Sequence, residues 1–361
     1  MPAADPGEPI QDSELPALFA AFKRYESVVL AVSGGPDSTA LMLLAQRWRA
    51  RQTQGPRLVV ASVDHKLRPE SALEVTQVAA LSARLGLDHA GLEWRALKPP
   101  TGLQEAAREA RHALLRAFAR ARAAGAIAFA HTLEDQAETV LLRLGRGSGL
   151  PGLRAMRPVT PAEDLTLLRP FLAVPKARLV ATLDAAGVGF VRDPSNGDER
   201  FARPRLRRLA PALAREGLDA ARLALFARRV ARAETALEDA VLKARAEVSL
   251  GAWGEGAVAL DPVRFFALPA EICLRLLIHA LAHCATEGPV ELGKAEALHE
   301  ALSAAGASGN MRRTLAGALV TLRDGKLEIA RAPARRSPSG SSRQIQPEFS
   351  AGILGKRGVG S

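Results

Sequence analysis

The densest chemistry in this chain lies at Ser33-Gly34-Gly35-Pro36-Asp37-Ser38. The segment sits between a short apolar run, residues 27–32, and a stretch with helical periodicity, residues 39–49. Two successive glycines let a backbone approach a ligand closely and turn its N–H groups toward it. The start of the following helix adds partial positive charge, and Ser33 and Ser38 add hydroxyl donors. Ser33, Gly34, Gly35, Pro36, Asp37 and Ser38 therefore form a candidate cradle for a pyrophosphate. Asp37 would be out of place beside phosphates unless a cation bridged them, which points to Mg²⁺. The bland alternative is an ordinary strand–turn–helix corner, for which Gly-Gly-Pro-Asp is good turn chemistry. The two serines and the placement favour the cradle. The loop contains no lysine, so it is not of the Walker type.

A second constellation follows the apolar run 126–130. His131, Asp135 and Glu138 open a helical stretch there, and the two acids, three residues apart, project from one helix face. Such a pair could hold Mg²⁺, or bind the ammonium of an amine nucleophile and accept its proton. Helix N-terminal capping, where acids are favoured anyway, is the competing explanation. A third feature is basic: residues 200–232 hold ten arginines against two acids, Glu216 and Asp219, on a helical pattern. Arginines in such number suit phosphates and unpaired bases, although a solvated helix face would look the same.

The elements that must carry these groups alternate. Strand patterns at 27–32, 58–63, 89–94 and 126–130 are separated by helical patterns at 39–49, 71–85 and 104–124, and 134–144 follows. This predicts an α/β fold with a parallel sheet covered on both faces and ligands at its strand ends. Beyond residue 145 come a Gly-rich loop, a Pro-punctuated stretch to 175, a short helix over 176–186 and the loop Val191–Asn196. A smaller helical region over 235–330 ends in strands at 315–322 and 326–330, and the Pro/Ser/Gly/Arg-rich residues after 332 predict a disordered tail. The expected domains are thus a catalytic domain, 1–200, a mainly helical basic region with a small C-terminal domain, 201–332, and the tail, 333–361.

The net charge of +11 suits a polyanionic partner. No apolar run approaches the ~20 residues needed to cross a bilayer. The first residues are acidic and Pro-rich, unlike a secretory signal. Cys273 and Cys284 are too few for a disulfide framework or a four-cysteine zinc site. These features predict a cytoplasmic protein without a membrane partner. Cys273, His279, His283 and Cys284 could be imagined as metal ligands, but their apolar helical setting favours burial. Two further glycine patterns are read as accidents: Gly288 to Lys294 has Walker spacing without the hydroxyl, and Gly147-x-Gly149-x-x-Gly152 follows a helix rather than a strand.

SGGPDS resembles the PP-loop of the N-type ATP pyrophosphatases, which cleave ATP between its α- and β-phosphates and adenylate their substrate. Three more segments resemble one branch of that group, the tRNA(Ile)-lysidine synthases. Val63-Asp64-His65-Lys66-Leu67-Arg68-Pro69-Glu70-Ser71 is similar to VDHGLRPES, with Lys66 in place of glycine. Residues 130–139, AHTLEDQAET, are similar to AHTADDQAET, with Leu133-Glu134 in place of Ala-Asp. Arg192-Asp193-Pro194-Ser195-Asn196, followed by Arg203, Arg205 and Arg207, resembles the DPSN…RxRxR stretch. Together these cover roughly residues 25–235 in a consistent order.

The resemblance implies a PP-loop ATPase domain that uses ATP and Mg²⁺ to adenylate the wobble cytidine of a CAU-anticodon tRNA(Ile), with L-lysine as the second substrate. It implies catalytic roles for Asp37, Asp135, Glu138, Arg111 and His131, Arg111 steadying the α-phosphate or the RNA. It implies RNA contacts from Arg203, Arg205, Arg207 and Arg208. His65 either orients its loop or caps a turn. A thiolase of the same superfamily, a small-molecule ligase such as NAD synthetase and a non-catalytic ATP-regulated RNA-binding protein are the competing readings. Oligomeric state, a homodimer included, is left open.

Overall fold

The computed structural model describes residues 7–67, 70–99, 101–191, 200 and 202–333. The Arg192–Asn196 motif and the expected tail beyond residue 333 lie outside the described residues. The chain divides into two compact units, Met1–Ala240 and Val241–Ser361.

In the first unit a short helix, α1 (Leu15–Leu18), precedes β1 (Ser27–Ala31), α2 (Pro36–Ala50), β2 (Arg57–Asp64), α3 (Glu70–Arg84), β3 (Asp88–Glu93), α4 (Leu103–Ala121), β4 (Ala126–Ala128) and α5 (Leu133–Leu144). Then come α6 (Leu150–Leu153), β5 (Val159–Ala162), β6 (Leu165–Leu168), α7 (Lys176–Ala185), α8 (Ala202–Arg215) and α9 (Ala220–Val248), whose residues from Val241 on belong to the second unit. Six strands form one sheet in the order β3-β2-β1-β4-β6-β5. All pairings are parallel except the β5–β6 hairpin.

β1 lies inside the sheet and reads as a continuous apolar run because both its faces are covered. Alternate residues serve opposite cores. Val28, Leu30 and Val32 join α2, α7 and the aromatic group Phe19, Phe22, Trp48 and Phe171. Val29 packs with Ala61 and Ile127 against Leu115 and Ala119 of α4. From β1 the chain builds outward through β2 to β3, then returns to β4 on the other side of β1. The reversal opens a crevice beyond the carboxyl ends of β1 and β4, where open α/β sheets bind ligands. Both sequence constellations start at those ends.

The sequence reading missed the β5–β6 hairpin, whose strands are short, whose first contains Pro161, and whose turn puts Glu163 at φ 56°. The basic stretch 200–232 is helical and forms two helices: α8 ends at Arg215 and α9 begins at Ala220, with Gly217 at φ 82° between them.

The second unit contains β7 (Ala257–Leu260), α10 (Pro262–Phe266), α11 (Ala270–Cys284), α12 (Leu292–Ala305), β8 (Met311–Leu315), β9 (Ala318–Arg323) and β10 (Lys326–Arg331). Its strands form an antiparallel sheet in the order β7-β10-β9-β8. The single strand expected over 315–322 is instead split by a turn at Ala316-Gly317, both residues having positive φ, as tight hairpins require. Alanine does not advertise that conformation, which is why the turn was missed. Lys294 pairs with Glu291 at the start of α12, and no strand leads into that helix, so its Walker spacing is accidental. Cys273 and Cys284 are buried with their thiols on the carbonyls of Phe265 and Ile329, and among the described residues no group of three or more His, Cys, Asp or Glu side chains could hold a metal.

Candidate active site

Residues 33–38 form the turn between β1 and α2. Gly35 is the N-cap and Pro36 the first helical residue, where a missing N–H costs nothing. Gly34 has φ +87°, and a Cβ there would meet Val191 Cγ2 at 3.2 Å, so both conformation and space call for glycine. The Gly34 carbonyl accepts from Thr39 Oγ1 at 3.1 Å and from the Val191 N–H at 2.8 Å. Ser38 Oγ accepts the Ser33 N–H at 3.2 Å, donates to the Gly35 carbonyl at 3.1 Å and lies 3.3 Å from Ser33 Oγ. The loop is thus preshaped by its own hydroxyls. The first N–H groups of α2, which have no partners within the helix, line its mouth.

Asp37 Oδ2 accepts from Lys176 Nζ at 2.9 Å, while Oδ1 is buried and has no partner among the described residues. Burial pushes the Asp37 carboxyl above the ordinary carboxylate range, opposed by Lys176 and reinforced by the charges of Asp135 and Glu134. Lys176 joins the two, its ammonium on Asp37 and its backbone N–H on Glu134, so the turn after β1 and the start of α5 share one crevice. An unpartnered buried carboxylate oxygen beside a phosphate-shaped loop fits Mg²⁺, which keeps waters and substrate phosphates rather than an all-protein cage.

Helix α5 carries the acids. Thr132 is its N-cap, and Asp135 Oδ2 accepts the Thr132 N–H at 2.9 Å, completing a capping box. The capping explanation therefore holds for one oxygen of Asp135 only. The other, Oδ1, lies 3.4 Å from Arg203 Nη1, which is also 3.5 Å from Glu138 Oε2. Arg203 thus bridges the pair, so Asp135 and Glu138 do share a face. Arg207 Nε donates to Glu138 Oε1 at 2.6 Å. The Glu138 side chain is only 7% exposed, and its burial raises the carboxyl's pKa despite Arg207. Arg203 and Arg207 are one helical turn apart on α8 and face α5 together. Arg205, two residues on, points elsewhere and donates to the Arg200 carbonyl, and Arg208 is exposed.

His131 stacks on Phe129 with ring centroids 5.8 Å apart, and its Nδ1 is buried with no partner among the described residues. Burial pushes its pKa down to about 3, helped by Arg169, Arg108 and Arg111 and opposed by Asp135, so the ring is neutral. Arg111 Nε is also buried without a described partner, and Arg111 feels the charges of Arg108 and Arg203. His65 packs edge-on against Trp94, and burial lowers its pKa, with Arg111 adding to the effect. Asp64 caps the turn instead, accepting from the Lys66 N–H at 2.7 Å and from Ser71 Oγ at 2.5 Å.

On the other side of Phe129, His112 is likewise held neutral by burial and neighbouring arginines, at about 4. Below pH 6.5 the unfolded chain takes up a proton that folded His112 refuses until about pH 4. Stability should therefore fall as pH drops through that window. The Tm of H112N should decline less steeply than that of the wild type; equal slopes would reject this assignment.

The crevice therefore gathers residues 33–38, Arg111, His131, Asp135, Glu138, Arg203 and Arg207, and leaves Arg205 and Arg208 outside. It also contains two groups that the sequence reading did not single out. Lys176 reaches Asp37, and the Glu134 carboxylate accepts the Lys176 backbone N–H at 3.0 and 3.2 Å, tying the starts of α5 and α7 together.

A phosphate turn at the switch point of a parallel sheet, opposite a carboxylate pair, defines the PP-loop class, and the PP-loop domain family matches residues 8–213. A U34-tRNA thiolase from Methanococcus maripaludis shares the fold, with TM-score 0.53 and 12% identity over 61% of this chain and 77% of its own. The tRNA(Ile)-lysidine synthase of Bradyrhizobium sp. strain BTAi1 is 50% identical over 91% of this chain and 96% of its own length. That of Rhodopseudomonas palustris is 49% identical over 91% and 97%, and that of Methylobacterium sp. strain 4-46 is 51% identical over 86% and 90%. The chain belongs to the tRNA(Ile)-lysidine synthase family. No helix among the described residues is long and apolar enough to cross a membrane.

Proposed function

We infer that this chain is an ATP-dependent ligase that converts the wobble cytidine of CAU-anticodon tRNA(Ile) to lysidine. Beyond family membership, one observation carries the reading: Asp135, one of an acid pair able to bind an amine, acts on Asp37 at the phosphate turn, and Arg207 faces Asp37, Asp135 and Glu138 together. In the first step the C2 carbonyl oxygen of cytidine attacks the α-phosphate of ATP, and pyrophosphate leaves. In the second the ε-amine of L-lysine displaces AMP, forming the carbon–nitrogen bond.

The 33–38 turn holds the phosphates through its N–H groups and hydroxyls. Mg²⁺, met by Asp37, supplies neutralisation of phosphate charge. Arg111 steadies the α-phosphate or the nearby RNA. Asp135 and Glu138 bind the lysine ammonium and take its proton, and burial, which raises the Glu138 carboxyl, suits that group to accept it. Neutral His131 adds a ring nitrogen without adding charge. Arg203 and Arg207 neutralise the acid pair before lysine arrives, and the arginines of α8, Arg205 and Arg208 included, meet RNA phosphates. These substrates suit a cytoplasmic setting.

The thiolase alternative fails on chemistry: the chain's two cysteines are both buried in the second unit, bonded to backbone carbonyls. The decisive assay combines the protein with Mg-ATP, radiolabelled lysine and a CAU tRNA(Ile) transcript, with methionine tRNA as control. Lysine should enter the isoleucine transcript alone, with pyrophosphate and AMP released. Pyrophosphate release with another substrate, and no lysine incorporated, would keep the PP-loop chemistry and discard the lysidine assignment.

A further inference from the structure

The phosphate turn has a deficit that its own residues cannot fill. Pyrophosphate leaves carrying several negative charges, yet positions 33–38 offer hydroxyls, N–H groups and an acid but no basic side chain. Other phosphate loops use a lysine ammonium as a mobile point charge at this place. In the first unit one ammonium comes to the turn from far along the chain. Lys176 is the first residue of α7, and its Nζ is 2.9 Å from Asp37 Oδ2, 139 residues away in sequence.

Its base is fixed and its tip is free to move. The backbone N–H of Lys176 is held by Glu134, and the Leu133 N–H bonds the Val174 carbonyl at 3.0 Å, so the start of α7 is anchored to α5. Leu179 and Leu183 of α7 are fully buried in the core shared with α2. The side chain, by contrast, is 44% exposed at the mouth of the crevice. Asp37 takes one of three ammonium donors, and Asp37 Oδ1 is left unpartnered among the described residues. An ion pair meant only to neutralise Asp37 would be closed on both oxygens and shielded from water. This one engages a single Asp37 oxygen, and its ammonium side is 44% exposed.

We propose that Lys176 is the basic residue of the phosphate site, binding the β- and γ-phosphates of ATP and then the departing pyrophosphate. In the empty protein the ammonium rests on Asp37, and it swings on its four-carbon stem when phosphates enter. The proposal rests on the ATP-cleaving reading of the site.

The test is calorimetric titration of the full chain, with Mg²⁺ present, by three probes: α,β-methylene ATP, pyrophosphate and AMP. K176A should bind the ATP analogue and pyrophosphate about 10- to 100-fold more weakly, the worth of a charged hydrogen bond. AMP, which lacks the β- and γ-phosphates, should bind as it does to the wild type. K176R should recover most of the loss, and K176Q, measured in parallel, should behave as K176A if the alanine variant folds poorly. Equal weakening for AMP would show a merely structural residue and overturn the proposal, as would a K176A indistinguishable from wild type. Wild-type protein that takes up neither the analogue nor pyrophosphate would overturn the ATP reading itself, and the proposal with it.

Discussion

Replacing Asp37 by asparagine should lower lysidine formation by about 10³-fold, the upper range for removing one preorganised charge from a site of this kind. The folded protein should hardly notice. Burial already disfavours the Asp37 charge, and the Lys176 ammonium left behind is 44% exposed and can turn to water. Single-turnover adenylation measured beside Tm separates the two effects. Activity within tenfold of wild type would remove Asp37 from the chemistry, and a Tm collapse would make the loss a folding defect.

Glu138→Ala should be costly twice. As the proposed amine-binding base, its loss should reduce the second step by about 10²- to 10⁴-fold, the usual worth of a positioned acid or base. It also frees Arg207 Nε, which donates to Glu138 Oε1 at 2.6 Å. Breaking a fully buried pair costs about 3–5 kcal/mol. Arg207 is 43% exposed, so water recovers much of that, and a loss of about 1–2 kcal/mol is expected. Glu138→Gln preserves the shape and tests the charge alone. If either variant forms lysidine at the wild-type rate with saturating lysine, the pair does not handle the amine. Adenylation that proceeds while lysine transfer stops is the expected division.

Much of this site was legible because its parts are local. The turn 33–38 needs only its own residues and a strand before it, and Asp135 and Glu138 share a face by spacing alone. The sheet was legible too, because β1, β2 and β4 are short apolar runs set between helical stretches. What escaped was the contribution made across distance. Lys176 begins an ordinary-looking helix, and nothing near it in the chain mentions Asp37, 139 residues earlier. Glu134 stood out only as a departure from the family pattern, whereas it caps α7 and so positions Lys176. Arg203 and Arg207 were expected as RNA contacts from the family resemblance, and nothing in their spacing says that the fold also sets them against the acids of α5. Composition reports how many charges a segment holds, not which way each one points.

Helix α8 has no buried residue, while α9 beside it packs Leu223 and Ala227 against Ala137 and Val140 of α5. The two helices are attached by different forces, one by oil and one by charge. Rising ionic strength should therefore loosen α8 and leave α9 in place. A polyanion approaching the arginines bids for the same guanidinium groups that fasten the helix to Asp135 and Glu138. On the proposed function, substrate arrival and release of the acid pair would then be a single exchange of counter-ions, with RNA taking up the arginines and lysine inheriting the carboxylates.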